Sequence, residues 1–191
     1  MKKEITLRAS AVVIVLLLFA GLLSAQPETI LCNAVSTGTQ SGQSIPLTIV
    51  INSYSTQADR DALIQAFEKE GNDGLLKALD KMPTRGTVGI SGRPNVEVKH
   101  IWLFPNSPKG IRKIRLVTNR PISPGESQSM STSKELTLSA IELELSAEKG
   151  KSTGVLVPSG KILVDKKTKE IRAGVGQYSW KLVNFVDDKK K

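Results

Sequence analysis

Apolar and polar residues alternate with a period of two over much of this chain, the mark of strands that bury one face in a sheet. Thr29 to Val35 reads as a first strand, and the Ser/Thr/Gly/Gln stretch Ser36 to Ser44 as a loop. Pro46 to Ile51 is β-branched and short, a strand that starts at its proline, where a missing N–H does least harm. The period then changes. Ala62, Leu63, Ala66 and Phe67 fall at helical spacing, and Ser55 or Thr56 can cap the helix, with Asp59 completing a box and Asp61 adding negative charge near the start. Gly71-Asn72-Asp73-Gly74 interrupts the helix and Leu75 to Met82 continues it as far as Pro83, so a kinked pair is expected and not one rod.

From Arg85 onward the period returns to two. Gly86 to Ser91 is a short strand. In the next, Val96, Val98, His100, Trp102 and Phe104 share one parity, until Ile101 and Leu103 make both faces apolar. The cluster Pro105 to Gly110 turns the chain. Ile111 to Thr118 alternates Ile114 and Leu116 with Lys113 and Arg115, and Pro121 to Ser133 is a polar loop. Leu136 to Ala147 sets Ile141, Leu143 and Leu145 opposite Glu142 and Glu144. Shorter strands follow at Thr153 to Pro158, Lys161 to Asp165 and Glu170 to Ala173. The last, Gln177 to Val186, places Tyr178, Trp180 and Leu182 on one side and Val183 and Phe185 on the other. Turns of four to six residues imply antiparallel neighbours, because parallel pairs need long crossovers. The expected fold is mainly β, or α+β. It is a curled antiparallel sheet of about eight strands, barrel or sandwich, with one kinked helical insertion after the second strand, docked across an opening or an edge.

The first residues follow neither period. Lys2, Lys3 and Arg8 precede the uncharged run Ala11 to Leu23, and Ser24-Ala25 supplies small residues before Gln26. That is the three-part pattern of a secretory signal peptide. The run falls short of the roughly 20 apolar residues a membrane-spanning helix needs. Residues 1–25 are therefore expected to be a signal and residues 26–191 a single exported β-rich domain, periplasmic or extracellular. An uncleaved anchor is the alternative and the only membrane association expected.

Composition narrows the chemistry. The chain carries a formal charge of +9, scattered over turns and over the tail Asp187-Asp188-Lys189-Lys190-Lys191. It favours anionic partners or plain solubility, and no motif suggests nucleic acid. One cysteine excludes an internal disulfide framework, and Cys32 sits in an apolar strand where a buried thiol is expected.

Several segments carry a resemblance: Leu47 to Thr56, Asp73 to Leu79, Gly86 to Ile90, Lys109-Gly110 before Ile114 to Ile122, and Gly160 to Lys167. Together they resemble a secreted bacterial family of unknown function associated with acidobacterial genomes. The resemblance implies one exported domain. It implies no activity, cofactor or catalytic residue.

Catalytic constellations are poor. His100 is the only histidine, and no Gly-x-Ser-x-Gly elbow presents a nucleophile beside it. A Cys32–His100 dyad is arithmetically available, but a lone histidine beside Trp102 in a strand is ordinarily structural. One Cys and one His exclude the usual zinc sites. Glu142 and Glu144 project from one strand face about 7 Å apart, a spacing compatible with glycoside hydrolysis, although such a pair is ordinarily the solvated face of an amphipathic strand. No catalytic residue, metal or cofactor is assigned. His100, Trp102, Lys109, Arg112, Lys166 and Lys167 are the candidate ligand-binding residues, the basic turns meeting at one end of the sheet. The expected function is a non-catalytic exported binding module for an apolar small molecule or an anionic envelope component. The alternatives are an envelope structural or interaction protein using its basic surface and, third, a carboxylate-pair hydrolase.

Overall fold

A computed structural model describes residues 26–37, 42–122, 138–160, 162–165, 171–173 and 179–187. Eight antiparallel strands close into a barrel. Their chain order is β1 (Glu28–Ser36), β2 (Ser44–Ile51), β3 (Gly86–Ile90), β4 (Val96–Leu103), β5 (Ile111–Thr118), β6 (Leu138–Ser146), β7 (Thr153–Gly160) and, last, β10 (Trp180–Asp187). Around the barrel the order is β1-β10-β7-β6-β5-β4-β3-β2, so β10 pairs with both β1 and β7. Two further strands, β8 (Ile162–Val164) and β9 (Ile171–Ala173), form a separate hairpin. The expected curled antiparallel sheet of about eight strands, barrel or sandwich, is therefore present as a closed barrel, with no free edge among its eight members.

The alternation in sequence explains the interior. Ile30 and Cys32, Leu47 and Ile49, Ile114 and Leu116, and Ile141 and Leu143 all point inward and form one buried cluster with Leu156, Trp180 and Leu182. An eight-stranded barrel is just wide enough to be filled by such side chains.

Helix α1 (Gln57–Lys81) follows β2, as expected, and Thr56 caps it. The Thr56 hydroxyl accepts from the Asp59 N–H while the Asp59 carboxylate accepts from the Thr56 N–H, the anticipated box. Gly71 breaks the helix with φ 62 and ψ −142, a left-handed conformation that glycine adopts without steric cost. The helix does not cross an opening. It lies on the outer wall, where Leu63, Ile64, Leu75 and Leu79 form a second buried cluster with Val117 of β5, Leu138 of β6 and Ile171 of β9. Burying each of these leucines contributes about 1.5–3 kcal/mol. Among the described residues, no helix is long and apolar enough to cross a membrane.

Two bulges correct the parity expected from sequence. On β4, Val98 opposes Thr118 whereas His100 opposes Val117, so Lys99 is an extra residue. Val98 and Ile101 therefore face the interior, and His100 lies opposite Val117, on the outer wall. The single parity assigned to Val96 through Phe104 does not hold. On β10, Asn184 has φ 56, and the register moves from Leu31 against Val186 to Asn33 against Val183. The extra residue returns Phe185 to the interior cluster, on the same side as Trp180 and Leu182.

Candidate functional site

The outer wall carries a groove where α1 begins, lined by Arg60, His100, Trp102, Phe104, Arg115 and Ile171. Several local features place these residues. The Lys99 bulge turns His100 and Trp102 outward together. Ser55, just before the helix cap, donates its N–H to the Ile101 carbonyl at 2.7 Å and accepts from the Ile101 N–H through its hydroxyl at 3.0 Å. This two-way clasp fixes the helix start against β4. Strand register then puts Arg115 directly opposite Trp102, and Glu142 opposite Arg115.

Arginines and aromatic rings interleave in the groove. The Arg60 guanidinium lies 5.4 Å from the Trp102 ring centre and that of Arg115 lies 4.9 Å from the Phe104 ring. Arg115 is buried and held on two sides. Its Nε and Nη2 donate to Glu142 Oε1 at 3.0 and 2.9 Å, and its Nη1 donates to the Ile171 carbonyl, which ties the β8–β9 hairpin to the barrel. Asp59 is anchored by Arg85 Nη2 at 2.9 Å. Partial burial pushes its pKa up, but hydrogen bonds from Thr56 and the charge of Arg85 outweigh this and hold its carboxyl below the usual range.

His100 is the unusual member. It is 2% exposed and packs parallel to Trp102, with ring centres 6.4 Å apart and planes 10° from parallel. Among the described residues, both ring nitrogens are buried without a hydrogen-bond partner. A buried polar group left unpaired costs about 1–3 kcal/mol, so most buried groups find partners. Burial moves the His100 pKa down to about 4; Asp59 opposes the shift, while Arg60, Arg115 and Arg85 reinforce it. The imidazole is neutral at pH 7, with one nitrogen a donor and the other an acceptor. The groove is shallow, about 230 Å³ including its open mouth.

The chain matches no family model, no curated protein and no solved structure. The site therefore rests on its own geometry.

The sequence-derived residues separate into three groups. His100 and Trp102 come together in the groove. Arg112 does not join them: it points into the barrel mouth, where its Nη2 meets Glu28 Oε1 at 2.6 Å. Lys109 is exposed on the turn between β4 and β5, at that same end. Lys166 and Lys167 lie outside the described residues. Glu142 and Glu144 stand on the outer wall, in ion pairs with Arg115 and Lys113 of the neighbouring strand. Cys32 is buried in the barrel interior, whereas His100 lies on the outer wall.

Arg60, Phe104, Arg115 and Ile171 escaped the sequence reading. Arg60 did leave a signal: a cation in the first turn of a helix opposes the helix dipole, so its position asks for a tertiary reason. Arg115 opposite Glu142 becomes visible only once the strand register is known.

Proposed function

We propose that this chain is an exported, non-catalytic binding module whose ligand site is the outer-wall groove around His100. The observation that carries the reading is a buried histidine whose two ring nitrogens are unpaired among the described residues, in a groove lined by aromatic and arginine side chains. Unspent hydrogen-bonding capacity at the base of a groove is what a ligand can satisfy. Export is supported by the basic start, the apolar run Ala11 to Leu23 and the small residues before Gln26. The barrel interior is occupied by its own side chains, which favours a site on the wall over one inside. A hydrolytic role gains no support, because each glutamate of the spaced pair is engaged by a cation.

The test is native mass spectrometry of the full chain, purified after expression with export, followed by the same measurement under denaturing conditions. A small molecule that co-purifies, leaves on denaturation and is missing from His100→Phe supports the module. A bare chain that also binds nothing from a metabolite extract overturns it.

A second reading, an envelope interaction protein, is favoured by one feature. Leu31 and Val186 oppose each other across β1 and β10 and are 43% and 57% exposed, an apolar pair on the barrel exterior. Loss of a cross-linked envelope partner on Leu31→Ser with Val186→Ser would favour this reading over the groove.

A further inference from the structure

We propose that α1 is a lid hinged on the barrel's outer wall and that His100 is its acid-sensitive latch: proton uptake by this one buried imidazole releases the helix while the barrel stays closed. The device works whether or not the groove takes a ligand.

The helix is an excursion that the barrel can spare. It leaves after β2 and returns before β3, and the neck between them is closed without it. The N–H groups of Asn52 and Ser53 both donate to the Arg85 carbonyl, at 2.8 and 3.1 Å, and Ile51 pairs with Gly86 in the ladder beyond. The apolar contacts divide in the same way. Among the described residues, the interior cluster contains no residue of α1, whereas Leu63, Ile64, Leu75 and Leu79 belong to the separate wall cluster with Val117, Leu138 and Ile171. Undocking α1 therefore breaks one buried cluster and leaves the strand ladder and the other cluster whole. That is the condition for a local opening that costs less than global unfolding.

What holds the start of the lid surrounds His100. Ser55 clasps Ile101, the next residue on β4; Asp59 is paired with Arg85; and Arg60 lies over Trp102, on which His100 stacks. The charged groups acting on the ring are Asp59 and Arg60 of α1, Arg85 before β3 and Arg115 of β5. Glu142 of β6 is engaged by Arg115, and Lys99, the neighbour of His100 on β4, is turned to Glu97 and Thr84. Three cations thus stand against one carboxylate, which itself already binds Arg85 and the Thr56 N–H. The positive end of the helix dipole adds to the cations.

An imidazolium at this place is 2% exposed and has no hydrogen-bond acceptor among the described residues. Burial first, and the arginines after it, hold the docked ring neutral with a pKa of about 4, although Asp59 opposes them. Lifting the helix gives the ring water and carries Arg60 away, so the open form takes up its proton near the ordinary value of 6.5. Because the docked value is the lower one, closure is full above pH 6.5 and weakens as the pH falls toward 4. Release bares the apolar face of α1 and the strip of wall beneath it, a surface that the neutral form hides.

The test is hydrogen–deuterium exchange of the full chain from pH 7 to pH 5, resolved by peptide and corrected for the intrinsic pH dependence of amide exchange. Proton linkage between the two pKa values makes the open form about 20-fold more populated at pH 5 than at pH 7. Protection of Leu63 to Leu79 is expected to fall by that factor, while Leu47 to Ile51 and Ile141 to Leu145 keep theirs. In His100→Phe the protection of α1 is expected to be equal at both pH values. Should that variant not fold, the NMR signals of the single imidazole in the parent chain carry the test, and they are expected to titrate over the range in which α1 loses protection. Equal loss of protection in α1 and in the barrel strands overturns the lid, because the whole domain is then unfolding. Protection of α1 that holds down to pH 5, falls equally in His100→Phe, or falls while the imidazole stays neutral overturns the latch.

Discussion

Glu28 and Arg112 lie 84 residues apart in the chain and meet at 2.6 Å inside one mouth of the barrel. Glu28 is 1% exposed, and its second oxygen accepts from the Tyr54 hydroxyl at 3.1 Å. The sequence places Arg112 among basic turn residues; the structure makes it the counter-ion of a buried carboxylate. Truncating it takes a 2.6 Å ion-pair contact away from a carboxylate that is itself buried. Arg112→Met is expected to cost on the order of 2–3 kcal/mol, toward the low side for buried pairs because the Arg112 side chain stays about one-third exposed. Adding Glu28→Gln to Arg112→Met is expected to recover most of the loss. Urea denaturation of the three proteins checks this, and equal destabilisation by single and double variants would show that the pair is not the cause.

His100 predicts a dependence of stability on pH. Its folded pKa, about 4, lies below its ordinary value of 6.5, so the unfolded chain binds the proton more readily. Stability is therefore full above about pH 6.5 and falls as the pH drops toward 4, a contribution on the order of 3 kcal/mol in total. The charged groups around the ring are Asp59, Arg60, Arg85 and Arg115. His100→Phe removes the titrating group and the two unpaired nitrogens together. It is expected to flatten that part of the pH profile and to raise stability at pH 7 by about 1 kcal/mol, as expected where an idle buried polar group is kept for binding. Melting temperatures of both proteins from pH 4 to 8 measure both effects.

The curled antiparallel sheet was legible because its cause is local, whereas its closure into a barrel and not a sandwich was not, because the same alternation serves both. Leu143 lies between Glu142 and Glu144, Ile30, Ile49 and Leu116 each follow a polar residue, and such a period of two specifies an inward face wherever the strands pair. The kink at Gly71 and the Thr56–Asp59 box were equally readable, since each depends on residues within one or two turns. The groove was not legible. It exists because one extra residue, Lys99, turns His100 to the outside, and because Arg115 and Glu142 share a register set by strands 27 residues apart. Neither a bulge nor a register is written in hydrophobic periodicity. Asn184 was an available hint, since asparagine is among the few residues that tolerate the left-handed conformation a bulge can require.

Cys32 predicts an inert thiol. Burial among the barrel's aliphatic side chains pushes its pKa up to about 12. At pH 8 the reactive thiolate is then about one part in 10⁴, and access is closed as well. Thiol reagents are expected to leave the folded chain unlabelled for hours and to label it within minutes in 8 M urea, a concentration chosen as roughly saturating for a domain of this size. Rapid labelling of the folded protein would return Cys32 to the list of chemically active groups.

Gly74 predicts a packing failure at the helix kink. The residue is buried, and a β-carbon built there would collide with the Ala66 carbonyl oxygen and come within 2.8 Å of the Glu70 β-carbon. Both obstacles are on the helical segment before Gly71, and the carbonyl is backbone that cannot swing aside. Gly74→Ala would ordinarily stabilise a helix by about 1 kcal/mol. Here the collision is expected to dominate and to destabilise by about 1–3 kcal/mol, because the two segments must separate and loosen Leu75 and Leu79 from the barrel wall. Gly71→Ala fails for a different reason: there is open space around it, but its φ of 62 is strained for a residue with a side chain. The ψ of −142 lies outside the left-handed helical well that asparagine tolerates, so Gly71→Asn is expected to lose about as much as Gly71→Ala, through backbone strain and not collision. Thermal melts of the four proteins measure these losses, and a Gly74→Ala chain as stable as the parent would mean that the kink is free to open.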